Sequence, residues 1–168
     1  MKRYILLAIS VILLAAVAAS GILTIGGITP EIVLMFVLCY VCVEERCIWS
    51  MIFAAVCGII MGSLGGRGIG FTIVWYLYSA LLCYLGSRKG RFAKLKPALL
   101  FSVLTVILGE GIFYLIYFLG EADLVQFLRL KLLGAVIYNV ICTLVLFYPT
   151  RRLFRLDEEK AYRISDNI

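Results

Sequence analysis

The chain is divided into uncharged apolar runs of about 15–22 residues, separated by short polar breaks, and this spacing constrains the fold more than any other feature. Runs of that length match helices that cross a hydrocarbon core of about 30 Å. The alternation of a membrane β-barrel is absent, so the spans are helical. Of the 168 residues, 64% are hydrophobic and 15% charged, well above the roughly 45–50% apolar share of soluble domains. The breaks leave no room for a soluble domain. The expectation is an all-α integral membrane protein, a compact bundle of about six transmembrane helices in one domain over residues 1–150. A short basic and polar tail over residues 151–168 follows.

The expected spans are residues 4–25, 32–43, 47–61, 71–85, 98–119 and 132–148. Lys2, Arg3 and Ala16-Val17-Ala18 resemble a secretory signal, but the first apolar run continues past a signal core of about 7–15 residues, so a retained helix is expected. Spans two and three, broken only by Glu44-Glu45-Arg46, read as a tight helical hairpin. Residues 62–70 hold five glycines in nine, which favours a turn, a re-entrant segment or a close backbone approach. Residues 121–131, with Leu124, Phe127, Leu128 and Leu130 between charges, read as a short interfacial helix.

Charge sets the expected orientation. The net charge is +6, with 16 Lys and Arg, and these lie at span ends instead of on one soluble face, which argues against nucleic acid as a partner. An N-terminus inside puts Lys2, Arg3, Arg46, Arg88, Lys89, Arg91, Lys94, Lys96, Arg151, Arg152, Arg155, Lys160 and Arg163 on one side. Only Arg67, Arg129 and Lys131 fall on the other. The positive-inside rule therefore places both termini in the cytoplasm, with the 88–96 loop facing lipid headgroups.

Chemistry-bearing residues are few. The chain has no His, no GxSxG, no phosphate-binding glycine loop and no intramembrane acid pair, so catalysis is not expected. Cys39, Cys42, Cys57, Cys83 and Cys142 lie inside apolar runs and Cys47 at the edge of one, which reads as free buried thiols. The Cys39/Cys42 pair lacks a second pair or a histidine to complete a zinc site, and no metal or cofactor is expected.

Glu110, flanked by Gly109 and Gly111, is the one acid near the middle of a span, where a charge is costly unless paired, protonated or hydrated. It reads as a proton, ion or ligand site, or as a protonated carboxyl bonded to a neighbouring helix. Asn139, with Tyr138 and Thr143, is a candidate partner from the sixth span. Ala15 with Ala19, and Ala16 with Ser20, repeat small residues at four-residue spacing, a surface for a close helix neighbour. Trp49, Trp75, Tyr78 and Tyr84 sit towards span ends as interfacial anchors.

Three stretches resemble the rod shape-determining protein MreD family. Pro30-Glu31 opens an apolar run after a basic leader and one span. Gly58-Ile59-Ile60-Met61-Gly62-Ser63-Leu64-Gly65-Gly66-Arg67-Gly68-Ile69-Gly70 is similar to that family's glycine, apolar triplet, acid and Gly-rich turn. Tyr84-Leu85-Gly86-Ser87-Arg88-Lys89-Gly90-Arg91 resembles the small-residue and arginine end of its fourth helix. The likeness covers residues 28–92, and the remainder by hydropathy alone. Gly62 stands where many relatives have an acid, and Arg67-Gly68 replaces the usual Gly-Pro, so no role of that acid transfers here.

The resemblance implies a non-enzymatic scaffold of the bacterial elongation machinery in the cytoplasmic (inner) membrane. It would control cell shape and peptidoglycan synthesis with an MreC-like single-span protein, MreB, RodA and a class B penicillin-binding transpeptidase. Its expected packing and partner residues are Ala15, Ala19, Pro30, Glu31, Gly62, Gly65, Gly66 and Gly70. A rival expectation is the substrate-binding subunit of an energy-coupling factor vitamin transporter, whose first helix often bears a similar Ala-xxx-Ala contact. That reading needs a polar pocket built from residues such as Glu110, Asn139, Arg67 and Trp75. An ion carrier would rest on Glu110 alone.

Overall fold

The computed structural model describes residues 2–25, 27–44, 46–64, 68–87, 95–117 and 131–155. Six helices account for almost all of them: α1 Lys2–Ala19, α2 Ile32–Val43, α3 Cys47–Leu64, α4 Ile69–Ser87, α5 Leu95–Tyr117 and α6 Leu133–Arg155. Helices α3 to α6 are long and apolar enough to cross a membrane, whereas α1 and α2 are shorter apolar helices. Gly65, Gly66, Arg67, Arg88, Lys89, Arg91, Lys94, the tail from residue 156 and nearly all of the expected interfacial helix lie outside the described residues.

Helix α2 organises the bundle. Every one of its 12 residues is apolar, and a helix that is apolar all round has no face to turn towards water. Val33 to Val41 are accordingly buried without interruption, and α2 touches all five other helices. At about 18 Å it is much shorter than a bilayer core. Protein surrounds it in place of lipid, so its length need not match the membrane. Outside this centre the pattern reverses. Ile5, Ile12 and Leu13 on α1, Val74 on α4, Leu100 on α5 and Val145 on α6 are all well exposed, an apolar outer surface suited to hydrocarbon and too extensive for water.

Successive helices run up and down. Gly58 and Gly62 of α3 face Ile73 and Ile69 of α4, and Gly86 and Gly109 border Phe101 and Trp75 across the α4–α5 seam, so both pairs are antiparallel. Glu31 and Cys39 meet Asn139 and Thr143, so α2 and α6 run parallel. The end of the bundle holding the N-terminus thus also holds Arg46, Lys96, Arg151, Arg152 and Arg155, while Lys131 lies at the other end.

Several boundaries differ from the sequence expectation. The first apolar run leaves the helix at Ala19 instead of reaching residue 25, because Gly21 turns the chain with φ of +69°, a left-handed value that ends helices. Ile25 and Ile28 then pair through both backbone amides, at 3.1 and 3.0 Å, around Gly27 with φ of +79°. The glycine-rich turn contracts, since Gly62 belongs to α3 and Gly70 to α4. Helix α5 starts at Leu95, with Pro97 in its first turn, where a missing N–H leaves no intrahelical bond unmade. Helix α6 continues through Pro149 to Arg155, so the arginines assigned to a tail extend the helix.

The second and third spans pack as antiparallel neighbours, as expected, with Phe53 of α3 against Phe36 and Tyr40 of α2, and a closer hairpin forms between α3 and α4. Its cause is the spacing Gly58-x-x-x-Gly62, a small-residue face on which two helix backbones can touch. A Cβ at Gly58 would lie 2.9 Å from the Ile73 Cα, and one at Gly62 2.7 Å from the Ile69 Cα. Backbone cannot yield as a side chain does. Gly70, by contrast, has nothing within 4 Å of its would-be Cβ.

Gly58→Ala and Gly62→Ala are therefore expected to destabilise the purified protein by about 1–3 kcal/mol each, and Gly70→Ala to stay within about 0.5 kcal/mol of the parent. Denaturation in detergent micelles checks the contrast; equal behaviour of Gly62→Ala and Gly70→Ala would contradict the seam.

Candidate functional site

The start of α2 is fixed from a distance. Pro30 is buried and Glu31 half-buried at this helix start. The Glu31 backbone N–H donates to Asn139 Oδ1 at 2.9 Å, and Asn139 Nδ2 donates to the Ala135 carbonyl at 2.8 Å. Both ends of the buried Asn139 amide are thus engaged. Thr143 Oγ1 donates to the Asn139 carbonyl at 2.8 Å, and the Tyr138 hydroxyl donates to the Leu23 carbonyl at 2.8 Å. The three polar side chains expected around Glu110 make these bonds within α6 and to the α1–α2 connection. Glu110 itself is half-buried on α5.

Beside that helix start, a cavity of about 320 Å³ opens between the end of α1, the 29–31 segment, the end of α3 and the start of α4. Its walls include Ala19, Glu31, Phe71, Thr72, Trp75 and Tyr76. The Phe71 and Trp75 rings lie parallel with centroids 6.3 Å apart. Trp75 sits in a notch on α5, since a Cβ at Gly109 would come within 2.8 Å of its Cζ2. Three residues singled out in sequence as packing or partner positions, Ala19, Pro30 and Glu31, converge here with Trp75, which the sequence presents as an anchor.

The other singled-out residues go elsewhere. Ala15 is buried in the core, whereas Ala19 is exposed and lines the cavity, so the Ala15–Ala19 pair does not form one packed stripe. Gly62 lies in the α3–α4 seam and Gly70 is exposed. Lys96 is exposed on the first turn of α5, at the opposite end of the bundle. Neither Glu110 nor Asn139 lines the cavity.

A second depression of about 300 Å³ runs along the outer side of α1 and α3, with Tyr40 of α2 at its base and Leu7, Val11, Ile52 and Val56 on its flanks. It is almost wholly apolar. All six cysteines are free, and the thiols of the Cys39/Cys42 pair diverge. Cys39 Sγ approaches the Thr143 carbonyl of α6 at 3.7 Å, while Cys42 Sγ lies 3.3 Å from Cys83 Sγ of α4. No group of three or more metal-ligating side chains occurs among the described residues.

Sequence reasoning named Gly58 within the family-like stretch but not as a packing residue, although Gly58-x-x-x-Gly62 was there to be read as a packing face. It also missed Phe71 and Tyr76 as cavity walls, for which no local signal existed. The link from Glu31 to Asn139 spans 108 positions and leaves no local trace.

Asn139→Leu is expected to cost about 1–2 kcal/mol by stranding the Glu31 amide, and Tyr138→Phe about 0.6 kcal/mol, both in the range of polar contacts within membrane bundles. Denaturation in micelles measures both, and a neutral Asn139→Leu would remove Asn139 as the holder of α2. Comparison with protein-family models, curated proteins and solved structures yields no match to this chain.

Proposed function

We propose that this chain is a non-enzymatic membrane scaffold of the bacterial cell-elongation complex, similar to the MreD family. It resides in the cytoplasmic membrane as a six-helix bundle with both termini in the cytoplasm. The sorting of Arg46, Lys96, Arg151 and Arg152 to the end that holds the N-terminus supports that orientation.

One observation carries the reading: the described residues that bear the resemblance shape the bundle. Pro30 and Glu31 open the central helix, Gly58 and Gly62 seat α3 on α4, and Gly86 makes room for Phe101 of α5. Each acts through shape or backbone contact. The depression along α1 and α3 is lined almost wholly by apolar side chains, chemistry suited to a further membrane helix, and in this reading it borders the single span of an MreC-like partner. MreB, RodA and the class B transpeptidase then join through that partner.

A second reading, the substrate-binding subunit of an energy-coupling factor transporter, draws on the cavity beside Trp75 and Glu31. A photoreactive amino acid at Val56, in the apolar depression, and another at Ile141, exposed on α6, separate the two. The scaffold reading expects Val56 to crosslink a single-span elongation protein in native membranes and Ile141 to do so far less. Recovery of paired ATPases with a transmembrane coupling subunit, identified by mass spectrometry, would replace it with the transport reading.

A further inference from the structure

Cys42 and Cys83 are 41 positions apart in the chain, yet their sulfur atoms stand 3.3 Å from each other where α2 packs on α4. The Cys83 thiol is buried and donates to the Leu38 carbonyl at 3.8 Å, one turn before Cys42, so it is held against the last turn of the central helix. Cys42 is half-buried, one residue from the end of α2, and is the more accessible member of the pair. The thiol of Cys39 points away, to the Thr143 carbonyl of α6 at 3.7 Å. Among six free cysteines the packing thus selects one pair.

A thiol that meets a hydroperoxide becomes a sulfenic acid, which condenses with an adjacent thiol to a disulfide. We propose that Cys42 and Cys83 form a peroxide-responsive modification site that ties α2 to α4. The Cys42 sulfur, as thiolate, attacks one oxygen of hydrogen peroxide; the O–O bond breaks, the departing hydroxide takes up the thiol proton as water, and a sulfenic acid remains on Cys42. The Cys83 sulfur then attacks that sulfur, the S–O bond breaks, and the hydroxide leaves as water with the Cys83 proton. Two thiols have lost two electrons, and one peroxide has become two waters. The sulfurs need about 1 Å of further approach to bond, within reach of side-chain rotation.

With the N-terminus inside, the pair lies towards the cytoplasmic end, where thiols are kept reduced, so the bond forms under oxidant and is undone by a dithiol. The pairing itself stands on the contact between α2 and α4 and does not need the scaffold reading.

Full-length protein in native membranes is exposed to graded hydrogen peroxide, and remaining thiols are blocked with N-ethylmaleimide. Digestion without reduction uses chymotrypsin and trypsin, which cut between Cys39 and Cys42 at Tyr40 and between Cys42 and Cys47 at Arg46. Mass spectrometry is expected to find the Cys42 peptide joined to the Cys83 peptide, absent from untreated membranes and lost after dithiothreitol. In Cys83→Ser the link disappears and dimedone captures the sulfenic acid on Cys42; in Cys42→Ser the Cys83 thiol stays unmodified. The link is read on the parent chain, so the test survives a variant that fails to fold. A link already present before peroxide, pairing of Cys42 with Cys39 or Cys47, or oxidation of Cys42 while Cys83 stays free would overturn the proposal.

Discussion

A helix of 12 apolar residues with no polar face can neither lie on a membrane surface nor span a bilayer, and the rest of this structure answers that constraint. Five helices enclose α2, so its residues meet protein on every side. Inside a bilayer this arrangement gains little from transfer out of water, because lipid is as apolar as the side chains. It is held by close packing and by a few polar contacts. The packing is dense where glycine and small residues allow it, as at Gly58 and Gly62. The polar contacts concentrate at α2, with Asn139 on the amide of Glu31 and the Thr143 carbonyl beside Cys39.

The buried position of α2 also explains where a cavity can exist. A short central helix cannot reach the end of the bundle set by its longer neighbours, so its start lies below the rim. The 20–31 connection must descend to it, and it does so through the Gly21 turn and the Ile25–Ile28 pairing. Space above such a recessed start is filled partly by that connection and partly left open between α1, α3 and α4. The cavity walls at Glu31 and Trp75 follow from the length mismatch between α2 and its neighbours.

Much of the helical architecture was legible in the sequence, because apolar run length and the charges between runs report helices directly. All six helices fall on the six expected runs, and four are long and apolar enough to span. What was not legible depended on partners distant in the chain. The evenly apolar 32–43 run betrays burial but not which helices enclose it: beyond the expected hairpin with α3, its contacts with α1, α4, α5 and α6 depend on the fold. A Pro such as Pro149 usually ends a helix, yet here α6 continues, with the Thr150 hydroxyl donating to the Leu146 carbonyl at 2.7 Å. The residues of the cavity were half legible: Ala19 stood out by small-residue spacing, Pro30 and Glu31 through the family resemblance, and Trp75 by its place near a span end. Their convergence required the fold.

The glycine pattern shows why composition alone misleads in such a chain. Five glycines between residues 62 and 70 suggest one irregular loop, but their surroundings divide them. Gly62 is demanded by backbone contact with Ile69, whereas Gly70 meets nothing. A glycine that admits a neighbouring backbone continues the helix, because the close approach is favourable only if both helices are regular along the contact. Antiparallel seating of α3 on α4 through Gly58 and Gly62 then forces the connection between them to be short. The same seam sets the direction of α4 and thereby carries Phe71 and Trp75 to the cavity that Glu31 also lines. A glycine spacing chosen by helix packing thus decides which side chains face one another across the cavity.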